Sequence, residues 1–204
     1  MNLVLDLGNT FGKIAVCDGT KVIESAVYPK ITSKEISYFH TCYDNLQGAI
    51  VSSVVNHSRE IVDYLENLFA VCIELNGSTP IPLTNKYKTP ETLGYDRIAT
   101  AVGACTIFPR RNVLVIDAGT AITYDLVTDK GEFVGGNIAP GLEMRFKALN
   151  KFTGRLPLLE PESNDINLIG KSTSEAIQSG IINGILFEIE GFITSIKKEY
   201  SKLK

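Results

Sequence analysis

Apolar positions along this chain follow two rhythms. Leu3-Val4-Leu5, Lys13 to Val16 and Lys21 to Tyr28 are runs too short for helices and read as strands, the first two joined by a tight turn. Ala49-Ile50-Val51-Ser52-Ser53-Val54-Val55 reads as a buried strand, preceded by a weakly helical stretch from Ser33 to Leu46. From Ser58 the rhythm changes: Ile61, Val62, Leu65, Leu68 and Phe69 recur at helical spacing, and Val71 to Leu75 returns to strand. Strands followed by alternating helix and strand predict an α/β fold. The sheet is mixed, because hairpin-linked strands are antiparallel and helix-linked ones parallel.

Asn76 to Pro90 has almost no periodicity and holds Gly77, Pro80, Pro82 and Pro90, so it reads as a long irregular connection of the kind that usually carries function. It enters Leu93-Gly94-Tyr95-Asp96-Arg97, after which Ile98, Ala101, Val102, Cys105 and Phe108 mark one helix face ending at Pro109. A boundary at Pro109-Arg110-Arg111-Asn112 divides the chain into halves, 1–109 and 110–204. The second half repeats the plan with a hairpin from Val113 to Leu126, a turn at Asp129-Lys130-Gly131, a strand through Phe133 and Val134, and a helix from about Leu142 to Asn150. Ser172-Thr173-Ser174-Glu175 has capping-box spacing and opens a long helix marked by Ile177, Ile181, Ile185, Ile189, Phe192 and Ile196. The second half is expected to lack its last strand and helix, since nothing before Lys204 matches Val71 to Leu75.

The two hairpins share chemistry as well as pattern. Leu5-Asp6-Leu7-Gly8-Asn9-Thr10 and Ile116-Asp117-Ala118-Gly119-Thr120-Ala121 each place an Asp two residues before a Gly, followed by small polar residues. Such a turn exposes backbone N–H groups and a hydroxyl beside a carboxylate, which suits phosphate oxygens with a cation between them. Lys13 on the return strand adds an ammonium. A plain hairpin, with Asp6 capping the turn and Lys13 solvated, is the alternative for one copy, and the second copy weighs against it. Neither G-x-x-x-x-G-K-[ST] nor G-x-G-x-x-G is present, and a strand rather than a helix follows each turn. Phosphate binding by paired hairpins belongs to the actin, hexokinase and Hsp70-like (ribonuclease H-like) architecture, in which duplicated domains with mixed sheets hold ATP in the cleft between them.

Composition narrows the partners. With 204 residues, 44% hydrophobic and 21% charged, the chain is an ordinary globular one. Its formal charge of −3, with Lys and Arg scattered, argues against nucleic acid. Cys17, Cys42, Cys72 and Cys105 form no C-x-x-C pair, so reduced thiols and a cytoplasmic location are expected. Ala49 to Val55 and Ile181 to Phe187 are too short to span a bilayer, and no leader precedes the first strand, so no membrane partner is expected.

A kinase of this architecture needs a base for its acceptor alcohol. His40 and His57 lie in ordinary segments without ligand spacing. Asp96, where the long loop enters a helix beside Arg97 and after the small Gly94, is the best candidate, with a plain acid in the first helical turn as the equal alternative.

Taken together, Asp6-Leu7-Gly8-Asn9-Thr10 with Lys13, Tyr87-x-x-Pro90-x-x-Leu93-Gly94-Tyr95-Asp96-Arg97, Asp117-Ala118-Gly119-Thr120-Ala121-x-Thr123 and Gly135-Gly136-x-Ile138-x-Pro140-Gly141 closely resemble the type III pantothenate kinase family. Some members also carry the name Bvg accessory factor. The resemblance implies transfer of the ATP γ-phosphoryl group to pantothenate, giving 4′-phosphopantothenate in the first step of coenzyme A biosynthesis. It assigns Asp6, Leu7, Gly8, Asn9, Thr10, Phe11, Gly12 and Lys13 to ATP and its divalent cation (Mg2+ or another), Thr120 to ATP from the second hairpin, and Asp117 to a monovalent cation, K+ or NH4+. Asp96 becomes the proton acceptor, and Tyr87, Gly94, Tyr95, Asp96, Arg97 and Thr173 line the pantothenate site. Thr173 reads equally well as a capping hydroxyl. A homodimer is implied, with the second half at the interface and Ile181, Ile185 and Phe192 as candidates for it, although burial inside their own half is the simpler reading for each. Two rival functions remain: another small-molecule phosphotransferase of the same fold, and a non-catalytic regulatory protein.

Overall fold

The computed structural model describes residues 1–54, 59–162 and 166–204. The chain forms two compact units, Met1–Pro82 with Lys88–Thr100, and Leu83–Tyr87 with Ala101–Lys204.

In the first unit, β1 (Asn2–Leu7), β2 (Gly12–Asp18) and β3 (Lys21–Tyr28) form an antiparallel meander. Helix α1 (Ser33–Cys42) leads to β4 (Gly48–Ser53), and α2 (Arg59–Leu68) leads to β5 (Cys72–Glu74). Both crossovers return parallel, and the sheet order is β3-β2-β1-β4-β5. Period-two alternation points Leu3, Leu5 and Leu7 into a core with Ile14, Val16 and Val51, closed by Ile36 and Phe39 of α1 and Ile61 and Leu65 of α2. The same alternation turns Asp6, between Leu5 and Leu7, to the opposite face of the sheet. Helix α1 starts at a capping box in which the Glu35 carboxylate accepts from the Thr32 N–H at 2.8 Å.

The connection from Asn76 to Pro90 is less irregular than its sequence predicts. Thr84–Asn85 forms a short strand, β6, and a 3₁₀ turn, Pro90–Thr92, precedes helix α3 (Tyr95–Ile107). In the second unit β7 (Val113–Ala118), β8 (Ala121–Val127) and β9 (Glu132–Pro140) repeat the antiparallel meander, with β6 parallel on the outer edge of β9, giving the order β6-β9-β8-β7. This pairing draws residues 83–87 into the second unit. The second unit resumes at Ala101, within α3.

Helices α4 (Leu142–Phe152) and α5 (Thr173–Glu199) complete the second unit. The duplication extends past the meander: the Gln47 N–H donates to the Met1 carbonyl at 2.9 Å just before β4, and the Lys204 N–H donates to the Asn112 carbonyl at 2.9 Å at the same place beside β7. Ile181 packs with Ile177 and Phe146, and Ile185 and Phe192 pack on the cluster of Leu114, Ile122 and Tyr124. All three candidate interface residues thus serve their own unit. At 27 residues α5 is, by length and composition alone, long and apolar enough to cross a membrane, which differs from the reading of Ile181 to Phe187 as too short. Its Glu188, however, is bonded to Arg145 of α4 and Tyr124 of β8. Val55, His57 and Ser58 lie outside the described residues.

Candidate active site

The first hairpin sets Asp6 directly opposite Lys13 in the β1–β2 ladder, with Nζ 3.6 Å from Oδ2. The Gly8 N–H donates to the Phe11 carbonyl at 3.1 Å and closes the turn, leaving Asn9, Thr10 and Phe11 exposed at its tip. On the other side of Asp6, in register on β4, stands Ser52. Its Oγ is buried and is the one buried side-chain polar atom without a hydrogen-bond partner among the described residues. Sequence reading missed Ser52 because only the parallel pairing of β1 with β4 brings it beside Asp6.

At the start of α3 the Arg97 N–H donates to Oδ1 of Asp96 at 2.8 Å. The helix start thus holds the carboxylate through an N–H that has no intrahelical partner. A Cβ at position 94 would collide with that same Oδ1, so glycine there is what gives the carboxylate its place. Arg97 itself is buried, 6% exposed, as are its neighbours Leu93 and Ile98. The Tyr95 hydroxyl accepts from the Gly77 N–H at 3.1 Å and ties the preceding loop to the helix, a link across eighteen residues that no local pattern signals.

The second hairpin closes one residue sooner, so Thr123 rather than a lysine faces Asp117. The Gly119 N–H donates to the Ala121 carbonyl at 3.0 Å, and Asp117 and Thr120 are exposed. In the same unit Tyr87 follows β6, its N–H donating to Oδ1 of Asn85 at 2.9 Å and its ring tilted against Phe133 at 6.1 Å. Its ring carbon lies 3.3 Å from where a Cβ of Gly135 would stand, which accounts for one of the paired glycines. At the start of α5 the two readings of Thr173 separate. Ser172 is the cap, its Oγ accepting from the Glu175 N–H at 3.2 Å, and Glu175 reaches back to the Lys171 N–H at 2.7 Å. Thr173 is exposed beside the cap, not part of it.

The first unit therefore carries Asp6, Thr10, Lys13, Gly94, Tyr95, Asp96 and Arg97, and the second carries Tyr87, Asp117, Thr120 and Thr173. Cys17, Cys42, Cys72 and Cys105 are unbridged, and burial pushes the thiols of Cys17, Cys72 and Cys105 upward, away from nucleophilic thiolate.

Among the described residues no three His, Cys, Asp or Glu side chains gather as a metal cage. A divalent cation that travels with a nucleotide does not need one, because Mg2+ takes one or two carboxylates and fills its shell with phosphate oxygens and water. Asp6, its side chain 40% exposed, could supply such a carboxylate, with the unpartnered Ser52 in register on the neighbouring strand. The residues present fit the group.

Acid-and-glycine hairpins on two mixed sheets are the features of the duplicated α/β architecture to which ATP-dependent phosphotransferases belong. The model of the type III pantothenate kinase family matches residues 2–195. A type III pantothenate kinase of Bacteroides fragilis is 43% identical over 203 residues, covering 100% of this chain and 83% of its own length. One from Christiangramia forsetii is 43% identical over 210 residues with the same coverage. A solved Campylobacter jejuni protein that carries the name of a Baf family transcriptional activator shares the fold, with a TM-score of 0.59 at 22% identity over 93% of this chain and 78% of that one. The chain belongs to the type III pantothenate kinase family, ATP-dependent kinases that act with a divalent cation at the first step of coenzyme A biosynthesis.

Proposed function

We propose that this chain phosphorylates pantothenate with Asp96 as the proton acceptor. The observation that carries the reading is the Asp96 carboxylate itself: the Arg97 N–H engages Oδ1 at 2.8 Å, and Gly94 clears the space that this oxygen occupies. A carboxylate held by one oxygen presents the other, Oδ2, to the attacking alcohol. Phosphoryl transfer asks for alignment and charge compensation more than for covalent help, so a well-placed carboxylate suffices to take the proton as the alcohol attacks. Tyr87, Gly94, Tyr95, Arg97 and Thr173 bind pantothenate and orient its primary hydroxyl.

The backbone from Asp6 to Lys13 binds ATP phosphates, with Asp6 holding the divalent cation and Lys13 adding positive charge; Thr120 contacts ATP from the second hairpin. When bound, the divalent cation neutralises charge on the phosphate oxygens. Asp117 holds the monovalent cation, K+ or NH4+. In support, the two hairpins differ in what faces the acid: Lys13 stands across from Asp6, whereas neutral Thr123 stands across from Asp117 and leaves its charge to be matched by another cation. The enzyme works in the cytoplasm as a homodimer.

The test is to incubate the protein with ATP, Mg2+, K+ and pantothenate and look for phosphopantothenate by mass spectrometry. Replacing K+ by Na+ should depress turnover in the parent and leave Asp117→Asn indifferent. Silence toward pantothenate together with turnover of a sugar would favour the rival phosphotransferase.

A further inference from the structure

Arg145 on α4 joins three elements of the second unit. Its Nε donates to the Pro140 carbonyl at the end of β9 at 2.8 Å, and its Nη2 donates to Oε2 of Glu188 on α5 at 2.8 Å. The other oxygen of Glu188 accepts from the Tyr124 hydroxyl at 2.8 Å. Tyr124 is a buried residue of β8 whose ring lies 4.3 Å from that of Phe192. The ion pair is shielded, with Arg145 and Glu188 side chains 20% and 27% exposed. Its acceptor is therefore anchored from two sides, by α5 and by the buried tyrosine.

What Arg145 holds is the peptide that braces the second hairpin. Gly141 follows Pro140, and its N–H donates to the Thr120 carbonyl at 3.0 Å. A Cβ at Gly141 would run into the carbonyls of Gly119 and Thr120, so these backbones are in close contact. A hairpin tip is among the more mobile parts of a fold unless something packs on it. Here the packing element is itself fixed by a charge-assisted hydrogen bond to the carbonyl one residue earlier.

We propose that Arg145, clamped by Glu188, is a positioning residue for ATP: it presses Pro140-Gly141 against Gly119-Thr120 and so sets where Thr120 meets the nucleotide. This rests on the reading of Thr120 as an ATP contact. Arg145 touches no substrate and acts only through the turn. A purely structural ion pair would lower thermal stability and disturb both substrates alike, whereas a positioning clamp acts on one.

The experiment compares Arg145→Ala, Arg145→Lys, Glu188→Ala, Glu188→Gln and Thr120→Ala with the parent enzyme, measuring KM for ATP, KM for pantothenate, kcat and Tm. Arg145→Ala and Glu188→Ala should raise KM for ATP about tenfold while KM for pantothenate stays within about twofold. Glu188→Gln, which keeps an oxygen for Arg145, should recover most of the loss. Arg145→Lys should not, because the guanidinium reaches Pro140 through Nε and Glu188 through Nη2, two fixed and separated donors that one ammonium position does not reproduce. If Arg145→Ala does not fold, Arg145→Lys and Glu188→Ala carry the same readout. Unchanged KM for ATP in the Arg145 and Glu188 variants overturns the clamp, as does a rise in both KM values together. If Thr120→Ala alone leaves KM for ATP unchanged while the clamp variants raise it, the clamp stands and acts through the turn's backbone, and it is the Thr120 side-chain contact that fails.

Discussion

The Arg97 backbone N–H and the Asp96 carboxylate meet at 2.8 Å in the first turn of α3, and the oxygen they share lies over Gly94. Arg97 thus orients its neighbour through the main chain, which no substitution at 97 other than proline removes. Gly94 does not have a positive φ, so alanine suits its backbone and the only group it displaces is the Asp96 carboxylate. Gly94→Ala should lower kcat about a hundredfold, leave KM for ATP unchanged and alter Tm little. Steady-state kinetics with a melting curve on the same sample checks all three.

Ser172 and Thr173 stand side by side and should separate cleanly. Ser172→Ala removes the cap of α5 and is expected to cost about 1 kcal/mol of stability with kinetics retained. Thr173→Ala, outside the cap, should leave Tm in place and raise KM for pantothenate. Thermal melts and pantothenate titrations of the two variants are the measurement. A kinetic defect in Ser172→Ala equal to that of Thr173→Ala would return Thr173 to a structural role.

Tyr124 and Glu188 give stability opposite dependences at the two ends of the pH scale. Burial, then the hydrogen bond to Glu188, pushes the Tyr124 phenol up to about 12. Its contribution is complete below the ordinary phenol value near ~10 and is lost as pH rises from there toward about 12. Burial also pushes Glu188 upward, but the hydrogen bonds from Arg145 and Tyr124 and the Arg145 charge outweigh it, so its carboxyl lies below the usual range. That contribution is complete above the ordinary carboxylate value and is lost as pH falls through the lowered one. A Tm profile against pH should show both flanks; Tyr124→Phe should shrink the alkaline step, to which Tyr43 also contributes, and Glu188→Gln the acid one, which Glu35 and Glu143 share.

The meanders and their acid-glycine turns were legible in the sequence because strand alternation and a turn glycine are local signals, repeated around Asp6 and Asp117. The N-cap at Ser172 was legible for the same reason, although Glu175 closes on the Lys171 N–H and not on that of Ser172, as a capping box would. Thr84–Asn85 was not, since a two-residue strand cannot display alternation and its partner strand begins at Glu132. Ser52 could be placed beside Asp6 only once β4 was known to lie next to β1. The Arg145–Glu188 pair joins residues 43 apart with no shared spacing, so only the packing of α4 on α5 reveals it. Asp96 was legible as a first-turn acid, but its hold on the Arg97 N–H and its dependence on Gly94 are matters of geometry.

The central claim is that Asp96 takes the proton of the pantothenate hydroxyl. The direct measurement is single-turnover phosphoryl transfer by Asp96→Asn, with ATP and pantothenate affinities determined on the same protein by calorimetry. Asparagine keeps an oxygen for the Arg97 N–H but accepts no proton. The expected result is a transfer rate lower by about 10²–10⁴-fold with ATP affinity retained. Transfer at the parent rate would contradict the assignment.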